Sequence, residues 1–205
     1  MEPWLVVGLG NPGPDYAKNR HNVGAMVVRE LADRAEASLR STTTRSGRAW
    51  VALTAGSQPV VAADGAPGAP GARLVLGQPQ SFMNDCGSVV SALSSFYKVP
   101  VERLIVVHDD LDIPFGDVRL KRGGGEGGHN GLRSVTRSVG TREYFRVRVG
   151  IGRPPGRTDP ADFVLRNFTA AEAPDVVLLV SGAADAVQLL ASAGLVAAQQ
   201  RHHRP

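Results

Sequence analysis

Residues 104–107 read Leu-Ile-Val-Val and run directly into His108-Asp109-Asp110-Leu111-Asp112. A short, unbroken aliphatic run of this kind reads as a buried strand, and no other segment narrows the possible folds as much. Open α/β sheets bind ligands beyond the carboxyl ends of their strands. A histidine and three carboxylates delivered to such an end are therefore candidate chemistry. Residues 4–7 form a second buried strand, closed by Gly8. Helical spacing lies between the two: Val23, Val27 and Leu31 recur four apart, after an Asn22 whose side chain can cap a helix.

The same reading predicts a helix over 84–97 with Val89, Leu93 and Phe96 facing inward, stopped by Pro100. Strands are expected at 48–55 and 58–63, as an antiparallel pair, and at 73–77, 118–120 and 145–151. In the last of these, Arg146 and Arg148 alternate with apolar neighbours, as in a half-exposed strand. A glycine-rich loop at 123–131 opens a helix reaching Val139, and Thr169 with Glu172 forms a capping box. The C-terminal helical region that follows is interrupted by Gly182 and Gly194. The expected class is α/β: a single globular domain over residues 1–199, with a mixed central sheet and helices packed around it. The D-G-A-P-G-A-P-G stretch at 64–71 reads as a flexible exposed loop, and 200–205 as a disordered tail.

With 42% hydrophobic and 20% charged residues, the 205-residue chain has the composition of a globular protein rather than a disordered one. Cys86 is its only cysteine, which excludes an internal disulfide and suits a reducing compartment. No basic, apolar leader opens the sequence, and the longest aliphatic block, 176–180, is far short of a membrane span. A cytoplasmic protein without membrane association is expected. The net charge of +4 is unevenly placed: residues 117–150 hold eight basic side chains against three acidic ones. That concentration permits an anionic partner.

Two motifs invite misreading. Gly8-Leu9-Gly10-Asn11-Pro12-Gly13 fits G-x-G-x-x-G after a strand. A dinucleotide site, however, needs its third glycine inside an opening helix, and here Pro12 and Pro14 flank Gly13. Asp109, Asp110 and Asp112 could join His21, His108 or His129 around a divalent ion. There is no H-E-x-x-H and no dense His/Cys arrangement, so neither a metal nor another cofactor is predicted.

Five separated blocks resemble the bacterial peptidyl-tRNA hydrolases. They are Gly8 to Gly13, Arg20-His21-Asn22-Val23-Gly24, Pro79-Gln80-Ser81-Phe82-Met83-Asn84, His108 to Pro114, and Gly123-Gly124-Gly125-Glu126-Gly127-Gly128-His129-Asn130-Gly131-Leu132. Residues 145–152 and Asp162-Phe163-Val164-Leu165 before Phe168 extend the match. The resemblance implies hydrolysis of the ester joining a peptide to the 3′-terminal ribose of tRNA, by a monomer that meets the tRNA acceptor end. It implies His21 as the catalytic histidine and Asp109 as its supporting carboxylate. Asn11, Tyr16, Asn84 and Asn130 bind and position substrate, and His129 belongs to a loop near the site. Lys121, with Arg119, Arg133 and Arg148, is expected to meet phosphate; Arg122 and Arg146 are weaker candidates.

The residue chemistry agrees with these roles. A near-neutral imidazole can take a proton from water, and a carboxylate on its other nitrogen fixes the tautomer. Asparagine offers both a donor and an acceptor to a peptide group or an oxyanion. Asn22 and Asn84 also suit helix caps, a reading preferred for Asn22. Gln78, Asp85, Cys86 and Glu126 depart from the common family pattern. These departures motivate the alternative of a tRNA- or RNA-binding paralogue with little hydrolase activity.

Overall fold

The computed structural model describes residues 2–55, 72–154 and 156–203. Seven strands form one sheet: β1 (Trp4–Gly8), β2 (Arg40–Thr44), β3 (Gly47–Leu53), β4 (Leu74–Pro79), β5 (Leu104–Asp110), β6 (Val118–Arg122) and β7 (Phe145–Gly150). Their order is β2-β3-β4-β1-β5-β7-β6. The four central strands β4, β1, β5 and β7 run parallel, and antiparallel pairings join β3 to β4, β2 to β3 and β6 to β7. The sheet is therefore mixed, as expected.

Helices α1 (Val23–Arg34) and α5 (Ala173–His202) cover one face, and α2 (Cys86–Phe96) and α3 (Asn130–Val139) the other; α4 (Pro160–Val164) is a short helix beside the site. This explains why β1 and β5 read as unbroken apolar runs, since a strand covered on both faces needs no polar side. Val6, Ile105 and Val107 enter the core with α1 and α5, while Leu5, Val7, Leu104 and Val106 enter the one with α2 and α3.

Two glycines bring α1 hard against the sheet. A Cβ on Gly8 would stand 2.1 Å from the Gly24 carbonyl oxygen, and one on Gly24 would stand 2.2 Å from that of Val107. Gly8 thus serves helix–strand packing, and the loop after it leads to a 3₁₀ turn (Pro14–Tyr16) rather than a helix facing pyrophosphate.

Several local readings change. The strand β2, Arg-Ser-Thr-Thr-Thr, is half-exposed and carries no apolar alternation, so its sequence gave no strand signal. The partner expected for β3 at 58–63 and the flexible loop expected at 64–71 lie outside the described residues. The expectation of a tail from residue 200 is corrected: α5 continues to His202, and Gln199 and His203 are hydrogen-bonded to the backbone of β6. Gly182 passes smoothly through α5, whereas Gly194 (φ 86°, ψ 176°) kinks it. An 18-residue window of α5 has a mean hydropathy of 1.8, enough by length and composition to cross a membrane. Its Leu179, Ala183, Val187 and Leu190 are instead buried in the core shared with α1. The capping box forms as read, with Thr169 N–H donating to Glu172 and Glu172 N–H to Thr169 Oγ1.

The Gly24 contact gives a direct test of the packing. Gly24→Ala should destabilise the fold by about 3 kcal/mol or more, because a backbone carbonyl has no rotamer with which to yield. Denaturant midpoints of parent and variant measure it.

Candidate active site

Beyond the carboxyl ends of β1 and β5 lies a cleft of about 730 Å³ lined by Asn11, Asn84, Lys121, Asn130 and Arg148 around His21, Asp109 and His129. Asp109 ends the buried part of β5 and is only 3% exposed. Its Oδ1 lies 2.8 Å from His21 Nδ1 and 3.0 Å from His129 Nε2. Burial alone would raise the Asp109 pKa, but the two imidazoles outweigh it and hold the carboxyl far below its usual range. At His21 burial opposes protonation, yet the charge and hydrogen bond of Asp109 win and the pKa is raised above 6.5.

The two histidines are not equivalent. His21 sits on a 3₁₀ turn (Arg20–Asn22) and gives its Nδ1–H to Asp109, which leaves Nε2 as the basic nitrogen. His129 is the N-cap of α3: its Nδ1 accepts the Leu132 N–H at 3.2 Å, so the proton resides on Nε2 and points at Asp109. His129 therefore has no lone pair left to act as a base. The same three residues bring potential ligand atoms within 4.8 Å of one another. Coordination at His129 Nε2 would move its proton to Nδ1 and break the α3 cap, so the donor set as arranged suits a hydrogen-bonded pair of imidazoles better than an ion. His108, completing the histidine cluster, gives Nδ1–H to the Asp109 carbonyl at 2.7 Å, and burial first and the nearby His129 second push its pKa well down.

Four asparagines arrange the entrance. Asn22 does not cap α1, contrary to the sequence reading; its side chain accepts the Asn11 N–H and donates to the Asn11 carbonyl, both at 2.9 Å. That exchange fixes the loop after β1. Asn11 Oδ1 accepts the Met83 N–H at 2.9 Å, so the amide cannot be flipped and only its NH₂ is left for the cleft. Asn130 Oδ1 accepts from Arg133 at 3.3 Å, which likewise turns its donors outward. Asn84 lies exposed on the rim, one residue ahead of the α2 N-cap, Asp85, and makes no cap bond. Tyr16 is edge-on to Phe82 at 6.2 Å, and it is Phe82 that lines the cleft.

The basic residues divide. Lys121 and Arg148 line the cleft, and Arg148 Nε donates to Asp110 Oδ2 at 2.8 Å. Arg119 pairs with Arg148 across β6 and β7, and Arg133 stands exposed on α3; neither belongs to the lining. Arg146, expected on the surface, is fully buried and donates to the Gly125 and Gly124 carbonyls at 2.6 and 2.7 Å. It braces the glycine-rich loop from within, because a strand position facing α3 leaves no path to solvent. Arg122 pairs with Glu143. Glu126, a departure from the family pattern, is neutralised by Arg142 at 2.8 Å and held down to about 2. Cys86, another, is buried with its thiol pushed up to about 12, mainly by burial.

The sequence reading missed Arg20. Its guanidinium donates to Glu172 at 2.7 and 2.8 Å and to the Asn167 carbonyl, and stacks 4.5 Å from Phe163. It thereby ties the turn carrying His21 to the segment after α4, whose Pro160, Ala161 and Val164 form a cleft wall. Only its place beside His21 in the Arg-His-Asn block hinted at this.

Comparison with known proteins supplies a further finding. A family model described as peptidyl-tRNA hydrolase matches residues 5–205. A Frankia casuarinae protein named peptidyl-tRNA hydrolase is 58% identical over 201 residues, covering 98% of this chain and 94% of its own. One from Kineococcus radiotolerans is 55% identical over 204 residues, covering 100% and 98%. The crystal structure of peptidyl-tRNA hydrolase from Acinetobacter baumannii superposes with a TM-score of 0.79 at 32% identity, covering 98% of this chain and 94% of that one.

The charge coupling at Asp109 can be read without any substrate. In a proton-detected imidazole titration, His21 should charge at a pH above 6.5 while His108 stays neutral far below it. Asp109→Asn should move the His21 midpoint downward, since the opposing charge is lost while burial remains.

Proposed function

The chain belongs to the peptidyl-tRNA hydrolase family, and from that premise we propose how its own residues carry out the reaction. The activity is hydrolysis of the ester between peptide and tRNA, giving free peptide and reusable tRNA. His21 Nε2 takes a proton from a water molecule as that water attacks the ester carbonyl. The resulting imidazolium is stabilised by Asp109, already charged and 2.8 Å away. The tetrahedral oxyanion is met by asparagine donors, Asn11 Nδ2 and the amide of Asn130 foremost, because both have their carbonyl oxygens engaged elsewhere. Collapse expels the 3′-oxygen of the ribose, which recovers the proton from His21. Every proton in this scheme passes between water, substrate and His21.

Asn84 on the rim, with Phe82 and Tyr16 behind it, suits the peptide end. Lys121 and Arg148, across the cleft beneath the glycine-rich loop, suit phosphates of the acceptor end. Arg119 and Arg133 extend that side as outlying cations. We take the enzyme to act as a cytoplasmic monomer on tRNA free of the membrane. One observation carries the mechanistic reading: a buried carboxylate bonded to Nδ1 of an imidazole that lines the cleft.

His21→Ala should retain tRNA binding and lose about 10²–10⁴ in kcat on an N-acyl-aminoacyl-tRNA. Parental turnover by folded H21A would remove His21 from the mechanism. Binding without turnover in the parent itself would favour the RNA-binding paralogue. Lys121→Ala should raise KM for the full substrate more than for a minimal ester, and should flatten the log–log salt dependence of tRNA binding by about one unit. An unchanged salt slope would take Lys121 out of the phosphate set.

A further inference from the structure

The strand that carries Lys121 is the last in the sheet, so among the described residues one of its edges has no neighbouring strand. An unpaired edge is both frayed and open to foreign strands. Here the chain's own C-terminal segment meets it. Leu120, at the middle of β6, opposes Val147 of β7. On the outer side its N–H donates to His203 Nε2 at 2.9 Å, and its carbonyl accepts from Gln199 Nε2 at 3.0 Å. Two side chains four residues apart thus supply the acceptor and donor that an eighth strand would supply. His203 is held in place in turn, its backbone N–H donating to the Gln199 carbonyl at 2.8 Å. The kink at Gly194, at a positive φ that few side chains tolerate, turns the end of α5 onto this edge, and Ala198 is fully buried there.

We propose that residues 195–203 form a positioning clasp for the tRNA-binding strand: Gln199 and His203 fix Leu120, and through it set Lys121 and Arg119 for phosphate capture. The inference rests on the reading of Lys121 as a phosphate contact. Because His203 must accept, only its neutral form closes the clasp. Burial, Arg119 on β6 and Arg148 on β7 all disfavour its protonation, while Arg201 lies on its own helix. A histidine whose folded pKa is depressed contributes fully above its ordinary 6.5, and that contribution is lost as the pH falls through the folded value. The clasp is therefore closed at neutral pH and opens on acidification.

The test uses the full chain with His203→Ala, Gln199→Ala and His203→Gln, the last offering an acceptor that does not titrate. H203A and Q199A should raise KM for peptidyl-tRNA roughly three- to tenfold, the scale of one lost hydrogen bond. Turnover of a minimal N-acyl ester should stay parental, and exchange of the Leu120 amide proton should accelerate. H203Q should restore both KM and amide protection, and should lack the loss of protection that the parent shows as the pH falls below 6.5. Unchanged KM and Leu120 exchange in H203A and Q199A would overturn the proposal. Equal losses on both substrates, or failure of H203Q to rescue, would overturn it as well. Should H203A not fold, Q199A and H203Q still decide. If Lys121→Ala also leaves the tRNA KM unchanged, the phosphate reading has failed, and Leu120 exchange alone then judges the clasp.

Discussion

The site depends on one oxygen atom. Asp109 Oδ1 accepts from two imidazoles inside a packed sheet end, and a buried carboxylate without such donors would protonate or destabilise the fold by several kcal/mol. Two histidines share that carboxylate, yet their remaining nitrogens differ. His21 keeps a lone pair toward the cleft, whereas His129 uses its own to cap α3. The difference comes from backbone position. One ring hangs from a 3₁₀ turn, and the other precedes a helix whose first N–H groups need acceptors. In the mechanism proposed, the helix cap thus selects which imidazole can act as the base.

Much of this was legible because chemistry at strand ends is written in short, contiguous blocks. His108 to Asp112 directly follow an aliphatic run, and the run's burial on both faces is the reason it is aliphatic. The mixed sheet with helices packed around it follows from the same periodicities. What sequence could not convey was partnership across the chain. Asn22 reads as a cap because asparagine before an apolar helical pattern usually is one; its true partner, Asn11, is eleven residues earlier and is found only once the loop has closed. β2 escaped notice because an edge strand whose partly covered face holds only Thr42 and Thr44 has no apolar face to alternate with.

Charge counting says less than it promises. The basic excess over residues 117–150 permits an anionic partner, but several of those cations also bond to groups of the protein itself. Arg146 braces two glycine carbonyls, Arg142 neutralises Glu126, and Arg148 is oriented by Asp110. A guanidinium inside a protein and one on its surface look identical in a sequence, since both alternate with valines along a strand. The fully buried position of Arg146 could be inferred only from what covers that face of the sheet, namely α3 and the loop before it.

The placement proposed for the two tasks, proton transfer at His21 and Asp109 and phosphate capture at Lys121, accords with the tolerance each allows. Proton transfer needs heavy atoms held within about 0.5 Å, which favours the most constrained part of the fold. β5 is paired on both sides and covered on both faces, and it carries Asp109. Attraction of a phosphate falls off gradually with distance and survives small displacements, so Lys121 can stand on the outermost strand. An edge strand is nevertheless too loose to be left alone. β5 is held by pairing on both sides, whereas the outer edge of β6 is met at Leu120 by Gln199 and His203 from the end of α5. On this argument the C-terminal segment is bound to the edge because the division between chemistry and capture leaves capture on the strand with one neighbour.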